Sequence, residues 1–259
     1  VTFSAALAST GQLPVFAVYS SFLQRAYDQL MHDVAIGGLH VVLGVDRSGV
    51  VGEDGETHHG LYDVSYLATV PNTTIYAPAC YDELRLCLRR ALYRDKGLVC
   101  VRYPRGADNS VFDKSALNTE YTHVSGQRTD VLCISYGRIY DNLYQASRRA
   151  KEAGMPCDLL KLTRIFPLSD AVVELASTYQ HVLFLEEAYY YGGISQIFGD
   201  ALMQHGFHGS YRRVAPKEYL AHAPMASQIE KMQLSADAIF RHIQQIYQEE
   251  QGDGENCYL

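Results

Sequence analysis

The stretch DRSGVVGEDGETHHGLYD, residues 46–63, follows the apolar run HVVLGV of residues 40–45. The apolar run predicts a buried strand, and the four glycines of the stretch make a regular helix or strand after it unlikely. Loops this long inside a compact domain are usually functional or disordered. We therefore predict a functional loop at the carboxyl end of a strand, and the alternative is an ordinary solvated surface loop.

The composition is that of a globular protein with one large domain or two ordinary ones, because 47% of its 259 residues are apolar and 20% are charged. A formal charge of −7 without a local Lys/Arg cluster argues against a nucleic-acid partner. The sequence shows no apolar run of about 18 residues and no signal-peptide pattern, so we expect no membrane partner and a cytoplasmic location. The six cysteines include no C-x-x-C pair, so we predict no metal site in this chain.

Strand-like and helix-like segments alternate along the chain, which predicts an α/β fold with two domains, each a mostly parallel sheet flanked by helices. We predict a first domain at residues 1–113, a linker at 114–128, a second domain at 129–248 and a disordered polar tail at 249–259. The predicted strands are 13–19, 40–45, 73–78, 98–106, 130–137, 158–162, 181–187 and 211–215, and the predicted helices are 22–36, 81–94, 139–153, 168–179, 193–205 and 226–248.

Several chemically active side chains follow the strands of the first predicted domain. Tyr19 ends one strand, Phe22 and Arg25 lie one turn apart on the next helix, and Arg102 comes near the end of another strand. Ligands of open α/β sheets bind outside the carboxyl ends of the strands, so we predict that these residues and the 46–63 loop form one site. On pattern alone, core packing for Phe22 and a solvated charge for Arg25 are the alternatives.

The residue types suggest recognition of a phosphorylated substrate. Arg47, Arg102 and His58 are suited to holding a phosphate, because guanidinium groups match its oxygens in bidentate geometry. His58 is also suited to proton transfer near neutral pH, and Asp54 to accepting a hydrogen bond from a substrate hydroxyl. Spacing alone names no reaction.

Three runs resemble a known enzyme family: YSSFLQRAYDQ at 19–29, VDRSGVVGEDGETHHG at 45–60 and VRYPRG at 101–106. They closely resemble the 1-deoxy-D-xylulose-5-phosphate synthases, which belong to the transketolase-like, thiamine-diphosphate-dependent enzymes. The resemblance implies a pyrimidine-binding domain followed by a transketolase C-terminal domain. It also implies the condensation of pyruvate with D-glyceraldehyde 3-phosphate and loss of CO2, a step that leads to isoprenoids by the non-mevalonate route and to thiamine and pyridoxal.

The resemblance also assigns roles by position. It places Phe22 on the aminopyrimidine ring of thiamine diphosphate and Arg25 beside it, with His58 as the catalytic residue. His59 is interpreted as a neighbour without a role in proton transfer, and the segment 185–188 as chiefly structural, with a contribution to dimer contacts. The residues implied to line the acceptor and phosphate pocket are Tyr19, Arg47, Asp54, His58 and Arg102.

In this family a glutamate that activates the cofactor lies just before the segment that matches Val1, in a region that follows the N-terminal domain. That N-terminal domain holds Mg²⁺ and the diphosphate. The resemblance therefore implies a fragment that is inactive alone, has the N-terminal synthase domain as a partner and forms a homodimer. The alternatives are the C-terminal half of a transketolase or of another thiamine-diphosphate enzyme, and a non-catalytic assembly module.

Overall fold

The computed structural model describes residues 1–126 and 129–255, with side chains as far as Glu249, and contains two mixed five-stranded sheets flanked by helices. The predicted fold class is confirmed. The strands are β1 Val15–Tyr19, β2 Val41–Asp46, β3 Thr73–Tyr76, β4 Leu98–Tyr103, β5 Tyr121–Val124, β6 Val131–Tyr136, β7 Asp158–Leu162, β8 Arg164–Phe166, β9 His181–Leu185 and β10 Ser210–Val214. The helices are α1 Thr2–Ser9, α2 Ser20–Leu23, α3 Tyr27–Gln29, α4 Asp63–Leu67, α5 Tyr81–Tyr93, α6 Ile139–Glu152, α7 Asp170–Ser177, α8 Ile194–Gln204, α9 Met225–Lys231 and α10 Ala236–Glu255.

The first sheet has the order β1-β2-β4-β3-β8, in which the first four strands are parallel. Strands β2 and β4 lie inside the sheet and are almost completely buried, as expected for parallel strands covered on both faces. The fifth strand, β8, comes from the C-terminal half of the chain and pairs antiparallel with β3. The two halves therefore share one sheet.

The second sheet has the order β10-β9-β6-β7-β5, and β5 is its one antiparallel edge strand within the described residues. The segment predicted as a linker, 114–128, contains a strand, because β5 spans Tyr121–Val124. The last two residues of that segment, 127 and 128, lie outside the described residues. Among the described helices, none is long and apolar enough to cross a bilayer.

The predicted single helix at 22–36 is wrong in detail, because the segment is a chain of short turns of different pitch. After α2 come a 3₁₀ turn at Gln24–Ala26, α3 and a π-helical turn at Leu30–Ala35. The apolar stripe still faces the core, since Leu23 and Leu30 are buried. Single π-helical turns within a helical segment are frequent at functional sites.

The predicted helix at 226–248 is also interrupted. Gln233 has a φ of 60°, which ends α9, and the Ser235 hydroxyl then accepts a hydrogen bond of 3.1 Å from the Ala238 amide at the start of α10. Helix α10 continues to Glu255, beyond the predicted helix end at 248 and into the segment predicted as a polar tail. Residues 256–259 lie outside the described residues.

A buried ion pair joins the two halves beside the shared sheet. Lys161 of β7 contacts the carboxylate of Glu83 of α5, and the two side chains are 2% and 0% exposed. The Glu83 carboxylate also accepts a hydrogen bond of 2.9 Å from the Ala79 amide. The Lys161 ammonium lies 4.7 Å from the centre of the Phe112 ring and 5.4 Å from that of Tyr140. Each charge is therefore compensated by a specific partner, as a charge out of contact with water requires.

We predict that Lys161→Met lowers the free energy of unfolding by about 3–5 kcal/mol, because it leaves the Glu83 carboxylate buried without its counter-charge. The matched control is Arg85→Met on the same helix, whose ion pair with Asp82 has side chains 72% and 59% exposed. Arg85→Met should lower the free energy of unfolding by less than about 1 kcal/mol. Urea unfolding of both variants measures the difference, and similar losses would contradict the assignment.

Candidate functional site

The candidate site lies where three parallel strands end side by side. Tyr19 of β1 is in register with Asp46 of β2, which is in register with Tyr103 of β4. The chain leaves β2 into a loop that is closed at its base by two backbone hydrogen bonds between Gly49 and Gly60, of 2.8 and 2.7 Å. The structure thus confirms a loop at the carboxyl end of a buried strand, although this loop contains two 3₁₀ turns, at Gly52–Asp54 and Glu56–His58.

Three rings form an aromatic cluster at this edge. The Tyr19 and Phe22 rings stack with centroids 5.3 Å apart and an interplanar angle of 21°. His58 meets Phe22 edge-on at 5.1 Å and lies 6.2 Å from Tyr19. Phe22 is 39% exposed, and Arg25 has its guanidinium carbon 5.9 Å from the Phe22 ring centre. An exposed phenyl ring of this kind is available to a ligand, whereas a core side chain is not.

Two arginines meet one carboxylate next to the cluster. The Arg47 guanidinium lies over the Tyr19 ring at 3.8 Å and donates to Asp46 at 2.6 Å and to Asp54 at 3.0 Å. Arg105 binds the other oxygen of Asp54 at 3.1 Å. Asp54 therefore holds both guanidinium groups on one side of the loop, where together they can bind an anion.

Arg102 occupies a different environment, which does not support its predicted role as a phosphate ligand. Its side chain is 5% exposed, and it donates two hydrogen bonds of 3.1 Å to the two oxygens of the fully buried Asp63. Ser48 donates a third hydrogen bond to Asp63, at 2.9 Å. The guanidinium is already paired and out of contact with solvent, so this ion pair anchors the end of the loop.

Arg105 is a residue of the candidate site that the sequence analysis did not select. Arg102 lies within β4, whereas Arg105 follows Pro104 beyond the carboxyl end of the strand and is 41% exposed. The sequence contains this signal, because proline cannot donate to a central ladder and so marks the strand's end. Arg105 also lines a cavity of about 430 Å³ between the two halves, together with Tyr103 and Arg138.

The two adjacent histidines face different surroundings. The Nδ1 atom of His58 lies 3.0 Å from the Thr57 hydroxyl, and its ring is in the aromatic cluster. His59 is 2% exposed and accepts a hydrogen bond of 3.3 Å at Nδ1 from the Val51 amide. Burial lowers the pKa of His59 below its usual 6.5, although Glu187 opposes this shift. His59 therefore lies inside the protein as a neutral group.

The segment 185–188 holds two buried glutamates with different partners. Glu186 accepts hydrogen bonds from the Tyr136 hydroxyl at 2.7 Å and from the first amides of α8, and burial raises its pKa. Glu187 accepts a hydrogen bond of 2.7 Å from the Val50 amide and pairs with Arg138. The hydrogen-bond partners of Glu186 all lie within the C-terminal half, whereas Glu187 contacts the loop of the candidate site at Val50.

Two family models match the chain in succession. The model of the transketolase pyrimidine-binding domain matches residues 1–109, and that of the transketolase C-terminal domain matches residues 120–239. The chain belongs to the transketolase family.

Relatives of this transketolase-family chain include three proteins named 1-deoxy-D-xylulose-5-phosphate synthase. The protein of Chlorobaculum tepidum is 37% identical over 96% of this chain, that of Marinomonas sp. 37% over 94%, and that of Clostridium acetobutylicum 35% over 94%. The chain spans about 40% of the length of these relatives. A solved structure described as a split-gene transketolase, inactive β4 tetramer, matches with a TM-score of 0.84 at 18% identity, over 94% of this chain and 79% of its own, and supports the fold.

The neutral state of His59 leads to a pH prediction. The folded protein resists protonation of this ring, whereas the unfolded chain takes up the proton near the usual pKa of 6.5. The free energy of unfolding should therefore fall as the pH is lowered from about 7 to about 5. In His59→Gln this fall should be smaller, because glutamine does not titrate. Urea unfolding of both proteins at each pH measures the slope, and equal slopes would show that His59 is not buried as a neutral group.

Proposed function

We propose that this chain forms the acceptor-binding part of a thiamine-diphosphate-dependent transferase that condenses pyruvate with D-glyceraldehyde 3-phosphate and releases CO2. The observation that carries the proposal is the convergence of three rings and two arginines on one sheet edge. The names of the relatives supply the reaction, and the family supplies the thiamine diphosphate dependence. Such an enzyme produces a precursor of isoprenoids, thiamine and pyridoxal.

The residues present fit the pyrimidine half of thiamine diphosphate. Phe22 offers an exposed aromatic face to a cavity of about 370 Å³, which Arg25 and Val1 also line. In the proposed complex Phe22 packs on the aminopyrimidine ring and Arg25 lies beside it. Thiamine diphosphate supplies the electron sink that decarboxylation of pyruvate requires. The residues of this chain orient the ring and exclude water from one of its faces.

The acceptor aldehyde is proposed to bind beside the aromatic cluster, with its phosphate towards the two arginines. Arg47 and Arg105 bind the phosphate with charge-assisted hydrogen bonds, and Asp54 fixes the orientation of both guanidinium groups. Asp54 remains the proposed acceptor of a hydrogen bond from the substrate hydroxyl. His58 is proposed to transfer a proton at the aldehyde oxygen through Nε2, because its Nδ1 is taken up by Thr57.

The proposed reaction needs groups that bind the diphosphate and Mg²⁺, which we assign to the N-terminal domain of the family. Among the side chains that the structure describes, which end at Glu249, no three of His, Cys, Asp or Glu are placed to hold a metal ion. We propose that the chain works together with such a domain, in a homodimer and in the cytoplasm. The direct test is to combine the chain with the corresponding domain of the Chlorobaculum tepidum relative.

We expect that this assembly releases CO2 from pyruvate only when D-glyceraldehyde 3-phosphate and thiamine diphosphate are present, and that the chain alone does not. Product formation by mass spectrometry is the measurement. Transfer of a two-carbon unit from a ketose phosphate, with no use of pyruvate, would instead identify a transketolase. No turnover by a folded assembly that binds thiamine diphosphate would favour a non-catalytic module.

The roles of the arginines can be separated in the same assembly. Arg105→Ala should raise the Michaelis constant for D-glyceraldehyde 3-phosphate roughly ten- to a hundredfold, because a hydrogen bond to a charged group contributes about 1.5–3 kcal/mol. The Michaelis constant for unphosphorylated glyceraldehyde should change little. Arg102→Ala should instead lower the stability and affect both acceptors alike, because it leaves Asp63 buried without its counter-charge. Steady-state kinetics with both acceptors decides, and the opposite pattern would restore Arg102 as the phosphate ligand.

A further inference from the structure

The C-terminal half holds the site loop at three backbone positions. The carboxylate of Glu187, just after β9, accepts a hydrogen bond of 2.7 Å from the Val50 amide. The side-chain oxygen of Gln228, on α9, accepts one of 3.2 Å from the Gly52 amide. The Tyr219 hydroxyl donates to the carbonyl oxygen of Glu56. These contacts span 137 to 176 residues of sequence, so tertiary structure alone brings them together.

The first two contacts are buried and supported by further bonds. Glu187 and Gln228 are 4% and 2% exposed. Arg138 binds the Glu187 carboxylate and donates a hydrogen bond of 2.7 Å to the carbonyl oxygen of Val50, so both polar groups of that peptide unit are held. A Cβ atom at Gly49 would lie 2.4 Å from the Glu187 carboxyl carbon, which shows how closely the loop backbone approaches this side chain.

The loop has few bonds of its own that fix where its middle lies. Its base is closed between Gly49 and Gly60, the Val51 amide donates across it to His59 Nδ1 at 3.3 Å, and two hydrogen bonds of 3.1 Å, from Gly55 to Gly52 and from His58 to Gly55, form its turns. Such short turns set the local conformation but not the position of the loop over the strand ends. Each residue that is left free costs about 1–2 kcal/mol of conformational entropy to order. Contacts from outside the loop supply that order: Arg47 and Arg105 bind the Asp54 side chain, and the C-terminal half binds the backbone.

We propose that Glu187 and Gln228 are positioning residues that hold the 49–60 loop over the strand ends, so that Asp54 and His58 reach the acceptor. The importance of this for catalysis rests on the proposed function, whereas the positioning itself does not. Neither side chain contacts the aromatic cluster or the arginine pair described above. They act on the site through the amides of Val50 and Gly52, and Gln228 also through the ring of His59, whose Nε2 lies 3.2 Å from the Gln228 amide nitrogen.

The test is hydrogen exchange of the whole chain in the variant Gln228→Met, which keeps the side-chain volume but removes both hydrogen-bonding groups. The matched control is Gln196→Met, because Gln196 accepts an equivalent hydrogen bond of 2.8 Å from the Gly192 amide, away from the loop. We expect exchange of the amides of 50–58 to become about tenfold faster or more in Gln228→Met, since local opening sets the rate. Exchange in β9 and in the control should be unchanged.

A second pair of variants tests Glu187 independently. Glu187→Ala should speed exchange at Val50, and Glu187→Gln should restore part of the protection, because its amide oxygen still accepts from Val50. The NMR signals of the His58 ring report the same event, because packing against Phe22 at 5.1 Å shifts them. In Gln228→Met they should move towards the values of an exposed histidine.

Two results would overturn the proposal. One is unchanged exchange and unchanged His58 signals in variants that remain folded. The other is faster exchange throughout the chain, which would show a general structural role. Both readouts are made without turnover, so a failure here is distinct from a failure of the proposed reaction.

Discussion

The bidentate ion pair between Arg102 and Asp63 is the interaction on which the site depends most. It joins the end of β4 to the first residue of α4, and it closes the far end of the loop that begins after β2. Ser48 adds a bond from the loop's near end. Since both charged groups are buried, losing either partner would leave an uncompensated charge and not merely one contact fewer. The loop is therefore fixed at both of its ends by one carboxylate.

The two halves of the chain contribute different parts of the candidate site around this ion pair. The N-terminal half supplies the aromatic cluster and the two arginines of the candidate site, because its parallel strands end together there. The C-terminal half supplies Glu187 and Gln228, which contact the loop backbone at Val50 and Gly52, and Gln228 also contacts the His59 ring. The side chains of the candidate site and those that hold the loop backbone thus come from different halves of the chain.

Sequence patterns were sufficient where one local rule decides the structure. The buried run 40–45 became β2, and the glycine-rich stretch after it became a loop, because apolar runs and glycines act locally. The patterns failed where the deciding partner is distant in sequence. Nothing near Arg102 indicates that Asp63 neutralises it, whereas Arg105 lies beyond the end of β4 and is 41% exposed.

The same reason explains one of the two segments whose structure was missed. Strand β8 is three residues long and has no sequence pattern of its own, and it exists because the edge of β3 offers it partners. The Ala77 amide donates to the carbonyl oxygen of Thr163 at 2.8 Å, and the Gly137 amide donates to that of Ala77 at 3.2 Å. The helix at 22–36 keeps its apolar stripe, but its turns change pitch where Ala26 leaves helical geometry.

The shared sheet also determines how firmly the C-terminal half can hold the loop. Because β8 completes the sheet that contains β4, and because Lys161 is buried against Glu83, the two halves cannot shift relative to each other without breaking backbone hydrogen bonds or separating a buried ion pair. Glu187 is thereby held at a fixed distance from the ends of β2 and β4. A hydrogen bond from a rigidly placed acceptor restricts a loop far more than one from a flexible side chain, since little entropy remains to be lost when it forms. The pocket made by the N-terminal half therefore requires the C-terminal half as part of its framework.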